Sequence, residues 1–164
     1  MEYFPLVKED GTVVGKAGRK ECHNNTFLLH PVVHLHVFNS SGALLLQKRA
    51  DNKDIQPGKW DTSVGGHVDF GEPIEVALKR EVFEELQIQA FTPVFLFKYP
   101  YRSDREYELV HSFYTVYDGP FVFDPHEISA CRFWTRSEIE QSIGKQVFTP
   151  NFEHEIAKVL ACVI

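Results

Sequence analysis

Residues 66–88 read GHVDFGEPIEVALKREVFEELQI, and this stretch decides the interpretation of the whole chain. Its second part begins with Pro73, which suits the start of a helix because the first turn does not need the missing N–H. From there apolar residues recur at helical spacing, which predicts a helix that ends near Leu86. The residues of this apolar stripe are Ile74, Ala77, Leu78 and Val82.

Three glutamates of this helix depart from the rule for a surface helix, which keeps its charges opposite the apolar stripe. At about 100° per residue, Glu81 and Glu85 fall inside the stripe and Glu84 lies at its edge. Carboxylates crowded on a face that turns inward repel one another and lose hydration. A divalent cation relieves both costs, and Mg²⁺ and Mn²⁺ prefer oxygen ligands. The periodicity therefore favours a metal-binding helix over the alternative, a solvated glutamate cluster at a frayed helix end.

The spacing of residues 66–88 resembles the Nudix box, G-x5-E-x7-R-E-U-x-E-E-x-G-U, in which U is an aliphatic residue. One fixed position differs, because Gln87 stands where the box has the glycine that ends the helix in a left-handed turn. The resemblance implies an α/β fold, the Nudix α/β/α sandwich with a mixed sheet. The positions that match are Gly66, Glu72, Arg80, Glu81, Val82, Glu84, Glu85 and Ile88.

The resemblance also implies a chemistry. This is hydrolysis of a diphosphate linked to an unidentified moiety X, by water attack on phosphorus, with Mg²⁺ or Mn²⁺ as the cofactor. Arg80 would pair with Glu72 to orient the helix, and either Glu85 or Glu108 would take the proton from water. The implied catalytic residues are Glu72, Arg80, Glu81 and Glu85. The implied metal ligands are Glu81, Glu84, Glu85 and the carbonyl oxygen of Gly66.

Residues 60–67, WDTSVGGH, and the N-terminal extension are similar to the isopentenyl-diphosphate isomerase branch of the same superfamily. That branch binds a metal through three histidines and two glutamates, which suits a transition metal or a Mn/Zn-like ion better than Mg²⁺ alone. Each residue also has a plainer interpretation, as a loop histidine or a solvated carboxylate at a strand edge. The matching residues in this chain are His23, His30, His67, Glu106 and Glu108.

Four basic residues are candidates for binding phosphate. Arg49 and Lys53 fall where the isomerase branch holds its diphosphate. Arg102 and Arg105 lie in a charged loop between two predicted strands. The predicted substrate-binding set is Arg49, Lys53 and Arg102, and ordinary surface charge is the alternative.

Two departures from the isomerase pattern favour hydrolysis. The isomerase protonates an alkene with a cysteine two residues before the histidine matched by His67, and Gly65 at that position has no proton to give. The isomerase pattern also keeps only the glutamate matched by Glu85, whereas this chain keeps all three. Two alternatives stay open: an isomerase-like enzyme with Ser63 or His67 as the acid, and a non-catalytic sensor of a nucleotide or phosphosugar.

Apolar runs bounded by turn residues predict the elements around the helix. Residues 4–16 read as a hairpin, and residues 17–30 as a loop or short helix. We expect residues 1–30 to form a short N-terminal β-hairpin extension packed on a Nudix domain of residues 31–164. Strands are predicted at residues 32–38, 43–48, 60–64, 91–99, 107–117 and 131–134. Further helices are predicted at residues 135–144 and 149–160.

Several residues with reactive side chains are predicted to have only structural roles. His34 and His36 alternate with valine and leucine, which is the pattern of ordinary strand residues. Trp134 is expected to pack in the core. Cys22 and Cys131 are expected to be small buried apolar groups.

The composition of the chain excludes several classes of function. The 164 residues, 18.9 kDa, fit one domain whose core needs no disulfide or metal to fold. A net charge of −6 argues against a dedicated nucleic-acid binder, which needs surplus cations. No apolar run approaches the ~18 residues of a membrane span. Three cysteines without close spacing or a secretory leader indicate a reduced, cytoplasmic protein. The expected partner is a small-molecule diphosphate, with no nucleic acid and no membrane, and a homodimer is left open.

Overall fold

A computed structural model of the chain describes residues 2–53 and 56–163, and a mixed β-sheet forms the centre of the fold. These elements confirm the predicted α/β class and the N-terminal hairpin, which consists of β1 and β2. The strands are β1 (Tyr3–Val7), β2 (Val13–Gly18), β3 (Leu29–Phe38), β4 (Leu44–Arg49), β5 (Trp60–Asp61), β6 (Val64–His67), β7 (Val94–Arg102), β8 (Tyr107–Val116) and β9 (Ile128–Trp134). The helices are α1 (Arg19–Cys22), α2 (Ile74–Leu86), α3 (Arg136–Ser142) and α4 (Pro150–Cys162).

The central strand is β3, in a sheet of order β5-β4-β3-β8-β7. It pairs in parallel with β8 along its whole length. On the other side it pairs antiparallel with β6, where Val32 lies opposite His67. β9 joins the sheet through β4, also antiparallel. The parallel pair among antiparallel neighbours makes the sheet mixed, as the sequence predicts.

Helices cover both faces of the sheet. Alternate residues of a strand point to opposite faces, so each face buries its own set of apolar side chains against a helix. Val33, Leu35 and Val37 of β3 belong to a core shared with α2. Phe38 and Leu44 belong to a second core, shared with α4. Each fully buried large aliphatic or aromatic side chain stabilises the fold by about 1.5–3 kcal/mol. The order helix, sheet, helix is the predicted Nudix α/β/α sandwich.

The ends of α2 follow the sequence prediction closely. Pro73 is the capping residue immediately before the first helical residue, with φ −63° and ψ 149°. At the other end, Gln87 adopts the left-handed conformation, with φ 55° and ψ 34°. Its N–H donates to the carbonyl oxygen of Phe83 at 2.9 Å. The helix therefore ends in a left-handed turn although the residue there is not glycine.

The loop predicted around His30 is wrong. β3 begins at Leu29, so His30 is a strand residue that lies opposite Glu108 of β8. Pro31 conceals this start in the sequence, because proline cannot donate to a ladder and is rare inside sheets. Among the described strands, β6 pairs with β3 only from Val32 onward, which leaves one side of Pro31 unpaired.

Two other strand boundaries also differ from the prediction. The strand predicted at residues 60–64 is divided into β5 and β6, and β6 contains Gly65 and Gly66. The strand predicted at residues 91–99 begins later and extends further, as β7. Phe91 does not join it, because its side chain packs against the core shared with α2.

Predictions for three isolated residues have different outcomes. Trp134 and Cys22 are buried, as predicted. Cys131 is only half-buried, because within the described residues β9 is paired on one side alone, with β4. The described helices are all too short or too polar to cross a membrane.

Candidate active site and metal centre

Arg80 of α2 binds the loop that precedes its own helix. Nε and Nη2 of Arg80 each donate a hydrogen bond of 2.9 Å to Glu72. Nη2 also donates to the carbonyl oxygen of His67 at 3.0 Å, and Nη1 donates to Glu81 at 2.8 Å. The bidentate bond from Arg80 lowers the pKa of Glu72, so this carboxylate stays ionised. One guanidinium therefore fixes β6, the loop and the helix relative to one another.

Glu81 lies directly against Gly66 of β6. A Cβ added at Gly66 would be 2.1 Å from Cδ of Glu81, far inside van der Waals contact. Glycine is required at this position because any side chain would displace the carboxylate. The Glu81 side chain is 15% exposed, and burial raises its pKa although Arg80 opposes this.

The other two predicted carboxylates of α2 differ in their surroundings. Glu85 accepts a hydrogen bond of 2.9 Å from Nε2 of Gln47. Burial raises the pKa of Glu85 well above its usual value, and the charge of Glu81 acts in the same direction. The Glu84 side chain is 55% exposed and lies 3.4 Å from Arg80. Two carboxylates thus point inward, at an electrostatic cost that a divalent cation would remove.

Histidine and glutamate side chains meet where the N-terminal segment reaches the sheet. Nε2 of His23 lies 2.8 Å from Oε1 of Glu106 and 3.0 Å from Nε2 of His67. Candidate ligand atoms of His23, His30, His67 and Glu106 all lie within 4.8 Å of one another. Oε2 of Glu108 is 4.0 Å from Nε2 of His67. The structure therefore brings together all five residues selected by the isomerase resemblance.

The hydrogen bonding of His30 fits a metal ligand. Nδ1 of His30 is 2.8 Å from the carbonyl oxygen of Leu28, so Nδ1 carries the proton and donates. Burial lowers the pKa of His30, which keeps the ring neutral and leaves a lone pair on Nε2. Nε2 is buried and has no hydrogen-bond partner within residues 2–53 and 56–163. A backbone carbonyl that orients the other ring nitrogen is the usual support of a metal-bound histidine.

The protonation states of the cluster also suit a metal. Burial lowers the pKa of His67 to about 3, so this imidazole is neutral. Burial opposes ionisation of Glu106, but the hydrogen bond with His23 outweighs it and lowers the pKa of Glu106 to about 2. Neutral imidazoles and ionised carboxylates are the forms that coordinate metals. Burial raises the pKa of Glu108 well above its usual value, a shift that a bound cation would oppose.

Phe4 of β1 covers the histidine cluster, and the sequence analysis did not identify it. Its ring stacks on His67 with a centroid distance of 4.6 Å and an interplanar angle of 3°. It also stacks on His30 at 5.7 Å. Phe4 is only 1% exposed, so the hairpin excludes water from this side of the cluster. A phenylalanine in a short hairpin carries no sequence signal for this role.

The three predicted phosphate-binding cations lie on two parts of the sheet, Arg49 and Lys53 at the end of β4 and Arg102 at the end of β7. Arg49 ends β4, 3.9 Å from Asp61, and Lys53 in the next loop pairs with Glu127. The guanidinium carbon of Arg102, at the end of β7, is 3.9 Å from the ring centroid of Phe27. β4 and β7 are three strand positions apart in the sheet, which is roughly 14 Å at about 4.8 Å per position. Arg102 and Arg49 therefore lie on strands that are not neighbours in the sheet.

The sequence analysis also did not predict a buried hydrogen-bond network on the face of the sheet that α4 covers. Glu155 of α4 is 2% exposed and accepts hydrogen bonds from Nδ1 of His34 at 2.8 Å and Oγ of Ser112 at 2.8 Å. Nε2 of His36 and the Tyr99 hydroxyl donate to the same carboxylate. The prediction of ordinary strand residues for His34 and His36 is therefore incomplete, because both bind a buried charge.

The sequence contains a signal for this network. Phe152, Ile156 and Val159 form the buried stripe of α4, and Glu155 falls within it. This is the anomaly that marks α2, so the same periodicity argument applied to α4 would have identified Glu155.

Comparisons with known proteins agree with the geometry. The NUDIX domain family profile matches residues 28–152. The chain is 32% identical over 168 residues to isopentenyl-diphosphate Delta-isomerase 1 of Photorhabdus laumondii, an alignment that covers 98% of this chain and 96% of that protein. It is 32% identical over 157 residues to an uncharacterized Nudix hydrolase of Listeria monocytogenes, covering 93% and 90%.

Solved structures give the same result. The crystal structure of DR0079 from Deinococcus radiodurans superposes with a TM-score of 0.80 at 25% identity, covering 99% of this chain and all of that one. A MutT Nudix hydrolase from Burkholderia pseudomallei, at 21% identity and a TM-score of 0.67, shares the fold over 80% of this chain and 98% of that one. The family profile, together with relatives that align over most of their length, agrees with the acidic helix. The chain therefore belongs to the Nudix family.

Proposed function

We propose that the protein is a metal-dependent diphosphohydrolase that cleaves a diphosphate linked to a moiety X by water attack on phosphorus. The observation that carries the proposal is the pair of inward-facing carboxylates, Glu81 and Glu85, positioned by Arg80 and by the close approach to Gly66. Full-length relatives are named both isomerase and hydrolase, so the residues must decide between the two. Gly65 offers no acid for the isomerase reaction.

The acidic helix provides the site for the essential cation. The assigned ligands are Glu81, Glu84, Glu85 and the carbonyl oxygen of Gly66. When bound, Mg²⁺ or Mn²⁺ activates water and neutralises charge on the phosphoryl oxygens. The bidentate bond of Arg80 with Glu72 fixes the loop before α2, and its bond to the carbonyl oxygen of His67 keeps α2 in register with β6. Glu85, kept in place by Gln47, takes the proton of the attacking water, and Glu108 is the alternative base.

We assign a second cation to the histidine cluster, where the unpartnered Nε2 of His30 supports the assignment. Its donor set of imidazoles and carboxylates favours Mn²⁺ or a Zn-like ion over Mg²⁺. Residues 1–30 then act as an extension that supplies ligands and the cover of Phe4 to a catalytic domain of residues 31–164. The assigned ligands are His23, His30, His67, Glu106 and Glu108.

The basic residues complete the proposed substrate site. Arg49 and Lys53 bind phosphate oxygens, since Arg49 ends β4 and Lys53 lies in the next loop, and Gln47 of the same strand contacts Glu85. Arg102 lies across the sheet and contacts the substrate at its other end. The structure of a nucleotide-binding relative supports a diphosphate as the substrate class: the NUDIX domain of Shewanella oneidensis NrtR was solved with ADP ribose, and it shares the fold at 15% identity.

A metal-dependence assay across nucleotide, sugar and isoprenoid diphosphates tests the proposal. We expect phosphate release with Mg²⁺ or Mn²⁺ and none in chelator. Glu85→Gln should lower kcat by about 10²–10⁴-fold, because it removes the base and a ligand. Glu75→Gln is the matched control, since Glu75 lies on the same helix but is exposed.

Two results would count against this proposal. One is full activity of Glu85→Gln, and the other is no turnover of any compound. Incorporation of deuterium from heavy water into isopentenyl diphosphate, without hydrolysis, would support an isomerase-like enzyme instead. Tight nucleotide or phosphosugar binding without turnover would support a sensor.

A further inference from the structure

Phe27 has a backbone conformation that a bulky residue rarely adopts. Its φ is 54°, in the left-handed region, and its side chain is half-buried. This region is unfavourable for residues with a bulky side chain, and strained residues of this kind are typical of clamps and ligand sites. Neither the acidic helix nor the histidine cluster uses Phe27, so its conformation needs a separate explanation.

The ring of Phe27 lies against Arg102, at the end of β7. The guanidinium carbon of Arg102 is 3.9 Å from the ring centroid, which places the guanidinium in contact with the face of the ring. In residues 2–53 and 56–163, the Arg102 side chain has no hydrogen bond and no ion pair. An arginine stacked on an aromatic face is held through its plane. Within this part of the chain, the ring of Phe27 is therefore what fixes the Arg102 side chain.

Phe27 belongs to the segment that carries His23. Residues 23–28 connect α1 to β3 and form no helix or strand. α1 fixes one end of this segment, since the N–H of His23 donates to the carbonyl oxygen of Arg19 at 3.1 Å. The stack on Arg102 fixes the segment near its other end. A segment without regular hydrogen bonds opens easily, so the position of the His23 side chain depends on both attachments.

Arg102 immediately precedes the turn that carries Glu106. In this turn, residues 103–106, the N–H of Ser103 donates to the carbonyl oxygen of Glu106 at 2.9 Å. The N–H of Glu106 donates to Oγ of Ser103 at 3.0 Å. The turn is therefore tied together and attached directly to Arg102. Because Arg102 is stacked on Phe27, the turn is also connected to the segment described above.

The two segments meet in the histidine cluster. Nε2 of His23 lies 2.8 Å from Oε1 of Glu106 and 3.0 Å from Nε2 of His67. The ring centroids of His23 and His67 are 4.8 Å apart. Holding a side chain in one such arrangement costs conformational entropy, which contacts outside the cluster must offset. Ligands that are already in place bind an ion more tightly, because that cost is not met on binding.

We propose that Phe27, stacked on Arg102, is a positioning residue that holds His23 against His67 and Glu106. The left-handed backbone of Phe27 is the conformation that directs its ring to Arg102. The consequence for metal affinity rests on the proposed function, which assigns a second cation to the cluster. The consequence for the position of the His23 ring does not need the cation.

Metal affinity tests the first consequence. We would titrate Mn²⁺ in excess Mg²⁺, so that Mg²⁺ occupies the acidic helix and the electron paramagnetic resonance of Mn²⁺ reports the histidine cluster. Phe27→Leu keeps an apolar side chain but has no flat face to stack on Arg102. It should raise the Kd for Mn²⁺ about tenfold, the scale of outer-shell effects on metal sites. Phe27→Tyr keeps the face of the ring and should bind Mn²⁺ as wild type does.

Removal of Arg102 is the sharper test, because charge and stacking predict opposite signs. Arg102→Ala removes a positive charge, which by electrostatics alone would tighten the binding of a cation. Loss of the stack should instead raise the Kd about tenfold. The double variant with Phe27→Leu should bind no more weakly than either single variant, because both changes remove the same contact. Arg105→Ala is the matched control and should not raise the Kd, since Arg105 is exposed in the same turn and has no aromatic contact in residues 2–53 and 56–163.

A measurement in chelator separates this inference from the second cation. The ring protons of His23 and His67 should give a nuclear Overhauser cross-peak in the wild type and in Phe27→Tyr, since the rings are in contact. The cross-peak should be lost in Phe27→Leu. If the wild type binds no Mn²⁺, the second cation fails, and the cross-peak still decides the role of Phe27. The inference would be overturned by equal cross-peaks in all three proteins, by none in the wild type, or by tighter Mn²⁺ binding in Arg102→Ala.

Discussion

Gly66 has the tightest steric constraint in the site, since the Glu81 carboxylate occupies the space of its missing side chain. We expect Gly66→Ala to displace Glu81 and to lower kcat about 100-fold, because a shift of about 1 Å costs that much in positioned chemistry. The fold should persist, since the displaced atoms end a flexible side chain. Steady-state kinetics and urea unfolding measure the two effects. Gly15→Ala is the control, because its Cβ would meet Leu6 at 3.8 Å. Unchanged kinetics for Gly66→Ala would contradict this role.

The ion pair of Glu72 with Arg80 predicts a pH-dependent stability. The hydrogen bond from Arg80 lowers the folded-state pKa of Glu72 below its ordinary value of 4.5. The stabilisation is therefore complete above pH 4.5 and is lost as pH falls through the lower folded-state pKa. In chelator, Glu72→Gln should unfold about 1–2 kcal/mol more easily than wild type at pH 7, and the difference should vanish as pH falls below the lowered folded-state pKa of Glu72. Urea unfolding at several pH values measures it, and the exposed Glu75→Gln should show a flat, small difference.

The sequence predicts those site residues that break the apolar periodicity of a single segment. Glu81 and Glu85 break the periodicity of one helix, so a single segment reveals them. Glu155 breaks a periodicity too, but its partner His34 is 121 residues away, and only the fold places the two together. Phe4 breaks no periodicity in the sequence, because its role depends wholly on where the hairpin packs. The geometry of the predicted metal ligands is likewise a product of tertiary contacts.

Among the elements, α2 ends on a strained residue. Gln87 adopts φ 55°, a conformation that costs non-glycine residues about 1 kcal/mol. Gln87→Gly should therefore raise the free energy of unfolding by about 0.5–1 kcal/mol without changing activity. Thermal unfolding should show a midpoint about 1–4 °C higher. Gln89→Gly, at a nearby exposed position without positive φ, should give no gain. A destabilised Gln87→Gly variant would show that the side chain has a role of its own.

The N-terminal hairpin should control metal affinity through Phe4. Phe4→Leu keeps an apolar side chain but removes the flat ring stacked on His67. We expect the Kd for Mn²⁺ to rise about tenfold, the scale of outer-shell effects on metal sites. Mn²⁺ titration followed by electron paramagnetic resonance measures this. Tyr3→Leu changes the next residue of the strand, which is exposed, and should bind Mn²⁺ as wild type does. Equal Kd values for Phe4→Leu and wild type would exclude a covering role.

Element boundaries show the limits of prediction from local pattern. The capping signals of α2 are local, so its bounds are correct within a residue. β3 begins earlier than predicted because pairing with β8 outweighs the low strand propensity of Pro31. Phe91 leaves its predicted strand because its side chain has a better partner in the core shared with α2.

For the whole molecule, metal binding should stabilise the folded state by mass action. At a Mn²⁺ concentration 100 times the Kd, the gain is about 2.7 kcal/mol, or a rise of about 5–10 °C in Tm for a chain of this size. His30→Gln should lose the part of this rise that the histidine cluster contributes, because it removes the unpartnered Nε2. Glu85→Gln should lose only the part that the acidic helix contributes, since Glu85 belongs to the other proposed site. Differential scanning calorimetry with Mn²⁺ and with chelator measures both, and a complete loss in each variant would indicate a single site.

The parallel pairing of β3 with β8 has a consequence for how the chain reaches this state. α2 and β7 lie between the two strands in sequence, so a long loop must close before the central ladder can form. Such non-local pairing is slow, on the order of milliseconds to seconds. During that interval the apolar edge of β3 is open to other chains, and refolding yield should fall as protein concentration rises.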